Sequence, residues 1–423
     1  MLRHLLTTTT NVERSSYVWS ITASVCFAAQ SVVMLFIVSN LLGVEDAGLF
    51  ALAVAQAIIL WAIGSFGMRK YQASDVNRLY CLREYVWSRV LSVGLMMLSA
   101  SVFLLVMAGT GHYSGQKAWI IFLVTLIRAV DAVEDVWVGF FQQIGRLDIG
   151  SRVSSARVVL NTLVFAVALI VTRDLSISLL FCLAASVILL VILLVPAMHD
   201  YREHNHQKAQ ARHVAGLLWT CAPLFLAAFL SMYITNAPKY GIDAVLDDTA
   251  QGQFNLISMP VFVISLLSFV IFNPLIYSMS TQWIDRNLKR LFSTIATVTL
   301  ITIGITVVCV IGGVLIGLPI LSFISGVALT GLRTDLAILL VAGGFVAMSN
   351  LFIIILTIMR RQVAMAWSLV VVAGVAMTSP LWISWQGLRG ACLIFLVVFV
   401  LQTIIMGAVI WRNWHRPSLN PVP

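Results

Sequence analysis

The sequence predicts an all-α integral membrane protein with about twelve transmembrane helices. Three observations predict this fold class: the composition, a series of long apolar segments, and the distribution of lysine and arginine. Hydrophobic residues make up 60% of the 423 residues, and charged residues make up only 10%. Soluble domains usually contain about 45–50% apolar and about 25% charged residues. A chain of this composition can cover its outer surface only if lipid replaces water as the solvent.

Twelve segments are apolar over the roughly 20 residues that a transmembrane helix needs. The loops between them are short, and the first segment lacks the cleavage pattern of a signal peptide, so we expect it to remain as a helix. The predicted helices span residues 17–42, 49–67, 90–109, 117–141, 151–172, 175–197, 214–236, 252–277, 291–317, 335–359, 363–386 and 389–411.

The distribution of lysine and arginine predicts the orientation of these helices. Short cytoplasmic loops carry an excess of these residues. One side of the predicted topology, which includes both termini, holds 19 of the 26, and the other side holds five. Arg128 and Arg157 lie inside predicted helices. We therefore expect cytoplasmic termini, and the net charge of +9 is explained by topology without a nucleic-acid partner.

A weak internal repeat predicts two parallel six-helix halves. Gly48-Leu49-Phe50 opens the second predicted helix and Gly252-Gln253-Phe254 opens the eighth, about half the chain later, and acidic residues precede both. Transporters built from two such halves bind substrate between them; chance similarity of turn residues is the alternative. The predicted division is 1–197 for the N-terminal bundle, 198–213 for a cytoplasmic linker, 214–411 for the C-terminal bundle and 412–423 for a cytoplasmic tail.

The fourth predicted helix carries charge at the depth of the membrane. Its polar residues Thr125, Arg128, Asp131, Asp135, Gly139 and Gln142 fall within about 60° of one line on a helical wheel. Arg128 lies about 16 Å along the helix from Lys117, close to the middle of the bilayer. Charge at this depth usually faces a cavity or a partner. Arg128 is therefore a candidate substrate contact, and the alternative is a structural ion pair of Arg128 with Asp131 or Asp135.

Two further helices carry candidate polar residues. Arg157 and Asn161 share one face of the fifth predicted helix, although Arg157 could instead extend to the membrane interface. Near the end of the seventh, Pro238 disfavours helix at Ala237, and we expect a break there. The neighbouring residues Asn236, Lys239 and Tyr240 are candidates for substrate contact, with Lys239 placed to meet an anion or to act as an interface anchor.

Catalytic and cofactor motifs are missing from the sequence. It contains no P-loop, no G-x-S-x-G and no H-E-x-x-H, and the six cysteines form no C-x-x-C pair. His199, His204 and His206 lie in a charged loop that we interpret as solvated. The sequence thus predicts a transporter that is not an enzyme and that holds no cofactor or metal.

Several of these segments resemble one family. The stretch from Arg128 to Asp148, with Gly139-Phe-Phe-Gln142-Gln143, is similar to the helix-four motif of the Wzx-like bacterial polysaccharide flippases. The stretch Asn236-Ala-Pro-Lys239-Tyr240-Gly-Ile-Asp243 resembles their helix-seven motif, and Gln251-Gly-Gln-Phe254 with Met259-Pro260 resembles their helix eight. The same superfamily contains the MATE drug exporters and the lipid II flippases.

The resemblance implies a function and a location. Members of the family move an oligosaccharide, linked through pyrophosphate to a polyprenyl lipid, across the bacterial cytoplasmic membrane. Arg128 and Lys239, and more weakly Arg157, would contact the pyrophosphate, because arginine matches phosphate geometry with two hydrogen bonds. Membrane lipids, a polysaccharide polymerase and glycosyltransferases are the implied partners. Asp131 and Asp135 are candidate sites for a coupling proton or sodium ion.

Two departures bear on the alternatives. Lipid II flippases carry arginines in their first two helices, and this chain has none there, which argues against lipid II as the substrate. The first predicted helix also lacks a carboxylate, which disfavours a cation-coupled drug or metabolite antiporter of the MATE type. That antiporter, and a membrane-embedded enzyme that consumes a lipid-linked sugar, remain the alternatives.

Overall fold

The structure is a computed structural model that describes residues 7–75, 79–199, 201, 209–329, 331–359 and 361–414, apart from the side chains of Ser74, Gln362 and some residues between 262 and 280. The described residues form helices and turns and contain no strand. The helices are α1 (Val12–Leu42), α2 (Val44–Ser65), α3 (Met68–Ser74), α4 (Leu82–Gly109), α5 (Gly115–Gln143), α6 (Leu147–Thr172), α7 (Leu175–Met198), α8 (Ala211–Val245), α9 (Asp248–Ile284), α10 (Leu288–Gly312), α11 (Leu318–Ser325), α12 (Arg333–Ile358), α13 (Gln362–Ala376), α14 (Ser379–Gln386) and α15 (Leu388–Asn413).

The helices confirm the predicted fold class. In the described part of the chain, ten segments are long and apolar enough to cross a membrane, and the consecutive helices α10–α11 and α13–α14 each count as one such segment. Two further long helices, α5 and α9, occupy the fourth and eighth predicted spans. The α5 helix differs from the ten because its second half carries the charged residues of positions 128–135. The protein is a multi-pass membrane protein.

The chain divides into two compact units, Met1–Met232 and Tyr233–Pro423. The first unit contains α1 to α7 and the beginning of α8, and the second contains the end of α8 and the helices that follow it. The predicted domain boundaries at 197 and 214 remain predictions. Half of the predicted linker and most of the C-terminal tail, together with His204 and His206, lie outside the described residues.

The two repeat motifs occupy equivalent positions in their helices. Gly48 is the fifth residue of α2, and Gly252 is the fifth residue of α9. Two positions later, the side chains of Phe50 and Phe254 are each only 2% exposed. Asp247 caps α9 by accepting a hydrogen bond from the backbone of Ala250. The shared position and burial favour a repeated structural unit over chance similarity.

Several predicted helix boundaries were wrong. The α8 helix continues through Pro238 to Val245, so the expected break at Ala237 does not occur. Proline removes only one backbone donor, and membrane helices tolerate this loss when neighbouring groups satisfy the freed carbonyl. The ninth predicted helix continues beyond residue 317 through a π-helical turn, Gly313–Gly317, into α11. The eleventh is interrupted before Ser379, where Pro380 opens α14.

Helix packing places α5 at the centre of the first unit. This helix contacts α2, α3, α4, α6 and α7. Gly139 leaves room for α3, because a Cβ atom there would overlap the side chain of Gln72 on that helix. The five neighbouring helices explain why the charged residues of α5 are buried, and they bring polar side chains of other helices within reach.

A glycine at the tight connection between α14 and α15 provides a test of the packing. A Cβ atom on Gly390 would overlap the backbone carbonyl of Trp382 and lie 2.9 Å from the nitrogen of Ile383. Backbone atoms cannot rotate away as a side chain can. We expect Gly390→Ala to lower the free energy of unfolding by about 1–3 kcal/mol, as measured by denaturation of the purified protein in mixed micelles.

The matched control is Gly94→Ala in α4, where nothing lies within 4 Å of the added atom. Alanine is the better helix former by about 1 kcal/mol, so this variant should be as stable as the wild type or more stable. Equal stability of the two variants would contradict the packing at Gly390.

Candidate functional site

Four charged residues from two helices form one buried cluster in the first unit. We call Arg128, Asp131, Glu134 and Arg157 the Asp131 cluster. Asp131 accepts from both arginines, at 2.8 Å from Arg128 Nη1 and 2.5 Å from Arg157 Nη2. Arg157 also donates from Nε to Glu134 Oε2 at 2.8 Å. All four side chains are less than 9% exposed.

Uncharged groups from neighbouring helices complete this cluster. Ser186 on α7 accepts from Asn161 at 2.8 Å and from Arg157 Nη1 at 3.5 Å. On the α1 side, the guanidinium of Arg128 lies over the ring of Phe27, 5.0 Å from its centroid, and donates to Ser31 Oγ at 3.4 Å. The network therefore joins α1, α5, α6 and α7 through hydrogen bonds and ring contacts.

A second buried cluster surrounds Asp135, one turn further along α5. Its carboxylate accepts from Arg89 Nη2 at 2.9 Å and from Arg69 Nη1 at 3.3 Å. Arg89 also donates to the backbone carbonyl of Gly64 at 2.7 Å, and Ser92 donates to the same carbonyl. The Arg89 side chain is 2% exposed, whereas that of Arg69 is 40% exposed. We call Arg69, Arg89 and Asp135 the Asp135 cluster.

The charges of the two clusters nearly cancel. In the Asp131 cluster, two arginines face two carboxylates. In the Asp135 cluster, Arg89 and Asp135 pair in the interior, and the half-exposed Arg69 adds one positive charge. An isolated charge in a low-dielectric interior costs several kcal/mol, and close partners offset much of that cost. Compensation within the first unit thus explains how three arginines and three carboxylates can be buried at membrane depth.

The ion pairs in the structure distinguish between some of the alternatives that the sequence left open. Arg128 forms the ion pair with Asp131 that the helical spacing allowed, while Asp135 pairs with Arg89 and Arg69 instead. Of the two alternatives for Arg157, extension to the membrane interface does not occur, because its guanidinium is held between two carboxylates. Whether these residues also contact substrate or a coupling ion remains a prediction.

Sequence reasoning missed two members of these clusters. Arg89 was assigned to a loop, but α4 begins at Leu82 and carries Arg89 into the interior. A capping box formed by Cys81 and Glu84 starts the helix there, and this Cys-x-x-Glu spacing was an available signal for an earlier helix start. Glu134 lies off the polar line of α5 and is not among the candidates that this line predicts, yet it pairs with Arg157 on the adjacent helix.

The remaining candidates lie at the end of α8, in the second unit. Lys239 is half-buried, and it makes no hydrogen bond or ion pair within the described part of the chain. Asn236 is 6% exposed and lies one turn before Tyr240. The ring of Tyr240 stacks on that of Tyr233, with centroids 6.0 Å apart. An amide, two phenols and an ammonium group without an ion-pair partner among the described residues therefore occupy neighbouring positions on one helix.

A close contact with α14 lies at this end of α8. A Cβ atom on Gly241 would lie 2.7 Å from Ile383 Cδ1 and 2.9 Å from Ser379 Cβ. Glycine at this position therefore lets α14 approach α8 closely. The helix continues past Pro238, and it holds Asn236, Lys239 and Tyr240 in fixed positions relative to one another.

Solved structures show which class of protein this fold defines. The fold is similar to that of an inward-facing multidrug resistance MATE family transporter of the MOP superfamily, with a TM-score of 0.65 and 12% identity over 92% of this chain and 96% of that one. A eukaryotic MATE transporter gives a TM-score of 0.61 at 12% identity, covering 96% and 97% of the two chains. A MOP superfamily transporter from Pyrococcus furiosus gives 0.54 at 13% identity, covering 97% of each. The protein has the fold of a membrane transporter.

The sequence comparison identifies the family. The family model described as polysaccharide biosynthesis protein matches residues 16–280, which include both charged clusters and the end of α8. None of the curated protein sequences matches this chain significantly. The chain belongs to the polysaccharide biosynthesis protein family of Wzx-like flippases, as the resemblance in α5, α8 and α9 indicated. Its fold and family are those of membrane transporters and flippases.

The Asp135 cluster predicts a specific pattern of stabilities. Asp135→Leu leaves Arg89 buried with only the Gly64 carbonyl as partner, and we expect the free energy of unfolding to fall by about 3–5 kcal/mol. The double variant Arg89→Met with Asp135→Leu removes both charges and should recover much of this loss. Gly64 still accepts from Ser92 in that variant. Denaturation in mixed micelles measures both changes.

Arg83→Gln is the control for this comparison, because Arg83 is exposed on the same helix. Its effect should stay within about 0.5 kcal/mol of the wild type. A double variant as unstable as Asp135→Leu alone would show that the pair is not a compensated unit.

Proposed function

We propose that the protein is a flippase for polyprenyl-pyrophosphate-linked oligosaccharide units. It moves these units across the bacterial cytoplasmic membrane for the synthesis of a surface polysaccharide such as capsule, O-antigen or exopolysaccharide. The family match supports the role in polysaccharide synthesis. The contrast between compensated charges in the first unit and the uncompensated Lys239 in the second supports an anionic substrate.

The main support for the proposal is that Lys239 has no ion-pair partner among the described residues. A cation in a membrane-crossing helix needs a counter-charge or a water-filled cavity. Asp243 lies one turn further along α8, but no ion pair joins it to Lys239 within the described residues. A pyrophosphate that carries negative charge into the protein would supply the missing partner. A cationic drug would instead add to the positive charge.

Neighbouring residues suit the rest of such a substrate. Asn236 can donate to and accept from sugar hydroxyls, and an aromatic ring such as that of Tyr240 offers an apolar face with a polar hydroxyl. We assign Asn236 and Tyr240 to the glycan and the linkage next to it. The polyprenyl chain would remain in the lipid, and transport would proceed by alternating access of the two halves.

Arg128 is the proposed anion contact in the first unit, and Arg157 is proposed to position it. Asp131 holds one edge of the Arg128 guanidinium, which leaves the guanidinium other donors, and the bond to Ser31 at 3.4 Å is long. A phosphate oxygen could replace the Ser31 hydroxyl without breaking the pair with Asp131. Arg157, held by Asp131, Glu134 and Ser186, would position Arg128 through the shared carboxylate.

A coupling ion at Asp131 or Asp135 forms a further part of the proposal. Each of these carboxylates is shared by two arginines, so a proton or sodium ion would have to displace an arginine to bind there. Gradient-driven transport would then couple ion binding to rearrangement of the cluster. Polysaccharide polymerase and glycosyltransferases are the proposed partners, since they use and produce the lipid-linked unit.

The transport assay tests Lys239 directly. Purified protein is reconstituted into liposomes that contain a labelled polyprenyl-pyrophosphate sugar, and a membrane-impermeant reagent measures how much has crossed. We expect crossing by the wild type and at least about a tenfold lower rate for Lys239→Gln, because a charge-assisted hydrogen bond contributes about 1.5–3 kcal/mol. Lys239→Arg should retain most of the rate.

Controls separate the competing functions. Lys289→Gln removes an exposed lysine from the same unit and should leave the rate unchanged. Crossing without any dependence on Lys239 would disprove its role as the anion contact. If the label does not cross but a cationic drug does, the protein is an antiporter, and a chemically altered label would indicate an enzyme.

Arg128 gives an independent prediction. Arg128→Gln should abolish most transport while costing less stability than Asp131→Asn, because Asp131 keeps its contact with Arg157 when Arg128 is replaced. Asp131→Asn, in contrast, weakens the contacts of two buried arginines at once. Transport and micelle denaturation are measured on the same preparations. Normal transport by an Arg128→Gln protein that inserts and folds would refute the assignment.

A further inference from the structure

An open cavity of about 600 Å³ lies where α1 and α6 begin, within the first unit. This volume falls in the range of small-ligand sites, roughly 300–1,000 Å³. None of its lining residues belongs to the Asp131 or Asp135 cluster or to the proposed substrate contacts. The residues that matter for its chemistry are Thr8, Thr9, Arg14, Val18, Trp19 and Arg152.

Arg152 is fixed in the wall of this cavity. It donates to the Thr8 carbonyl at 3.1 Å, to Thr9 Oγ1 at 2.6 Å and to Ser15 Oγ at 2.9 Å. Its guanidinium also lies over the ring of Trp19, 5.6 Å from the centroid. The positive charge is therefore held in place before any ligand arrives.

Arg14 supplies a second positive charge to the lining. Its side chain is exposed and makes no hydrogen bond or ion pair within the described part of the chain. The nearby carboxylate of Asp148 is fully buried and is occupied by Arg146, at 3.0 Å, and by the Thr9 hydroxyl. The cavity lining thus carries two positive charges and no acidic residue.

The surroundings place this cavity at the edge of the membrane. Tyr17 and Val18 are 61% and 49% exposed, and tryptophan and tyrosine are typical of membrane interfaces. Further along the same two helices, Val25 on α1 and Leu163 on α6 are exposed apolar residues that can contact acyl chains. A ligand with a negative head and an apolar tail matches both parts of this surface.

We propose that this cavity binds the phosphate group of a membrane lipid. Two sources share this chemistry: an anionic phospholipid, and a polyprenyl pyrophosphate on its way to the transport pathway. Basic pockets between transmembrane helices on the cytoplasmic side are known to bind anionic head groups, and the distribution of lysine and arginine predicts that this end of α1 and α6 is cytoplasmic. This lipid site does not depend on the proposed flippase function, and it is tested separately.

Native mass spectrometry of the purified full-length protein tests this site. The protein is titrated with phosphatidylglycerol, and phosphatidylcholine serves as the lipid without net charge. Arg14→Gln is the decisive variant, because the exposed Arg14 side chain has no hydrogen bond or ion pair with the described residues to lose. We expect tighter binding of phosphatidylglycerol than of phosphatidylcholine to the wild type, and about fivefold weaker phosphatidylglycerol binding to Arg14→Gln. Arg152→Gln should weaken binding at least as much.

Arg83→Gln is the matched control, since it removes an exposed arginine from the same predicted side and should bind as the wild type does. Polyprenyl pyrophosphate is then added as a competitor. Displacement of phosphatidylglycerol from the wild type would assign the site to both lipids, and retention would assign it to the phospholipid. Equal phosphatidylglycerol affinities of Arg14→Gln and Arg83→Gln would overturn the proposal, and so would equal binding of the two phospholipids by the wild type.

Discussion

The sharing of Asp131 between Arg128 and Arg157 is the interaction on which the rest of the first unit depends. The Asp131 carboxylate lies 2.8 and 2.5 Å from the two guanidinium groups. Together with Glu134, the fourth charge of the cluster, it offsets much of the desolvation cost of burying both arginines. The cluster connects α5 to α6 directly and to α1 and α7 through Ser31 and Ser186. Because charges at membrane depth need partners, the positions of these helices and the compensation of their charges cannot vary independently.

The positive charges of the second unit become important for anion binding because those of the first unit are largely paired with carboxylates. If all buried cations were paired, the protein would offer little attraction to an anion beyond the donors that remain on Arg128. Lys239 differs because the described residues provide it with no hydrogen-bond or ion-pair partner, and α14 approaches its helix closely at Gly241. An anionic substrate could therefore gain a strong contact in the second unit without breaking the ion pairs that hold the first unit together.

Hydropathy over about 20 residues is a strong signal and predicted the helices. Charge in such segments is rare, and this rarity pointed to Arg128, Asp131, Asp135 and Arg157, whose roles in binding substrate or an ion remain predictions. Sequence reasoning failed where the deciding contact came from another helix. Hydropathy places Arg89 in a loop, but the residue lies in α4 and pairs with Asp135. Glu134 lies off the polar line of α5, but it pairs with Arg157 on α6. Pro238 was expected to break α8 because local preference was weighed without the surrounding helices. The pairing of residues far apart in the chain is not encoded in any local pattern.

The most direct test of the account is the binding preference of the purified protein, measured without transport. The affinities of polyprenyl pyrophosphate and of neutral polyprenol are compared for the wild type, Lys239→Gln and Lys239→Arg. We expect the wild type and Lys239→Arg to bind the pyrophosphate more tightly than the polyprenol, and we expect Lys239→Gln to lose most of this preference. An unchanged preference in Lys239→Gln would contradict the assignment of Lys239 as the partner of the pyrophosphate.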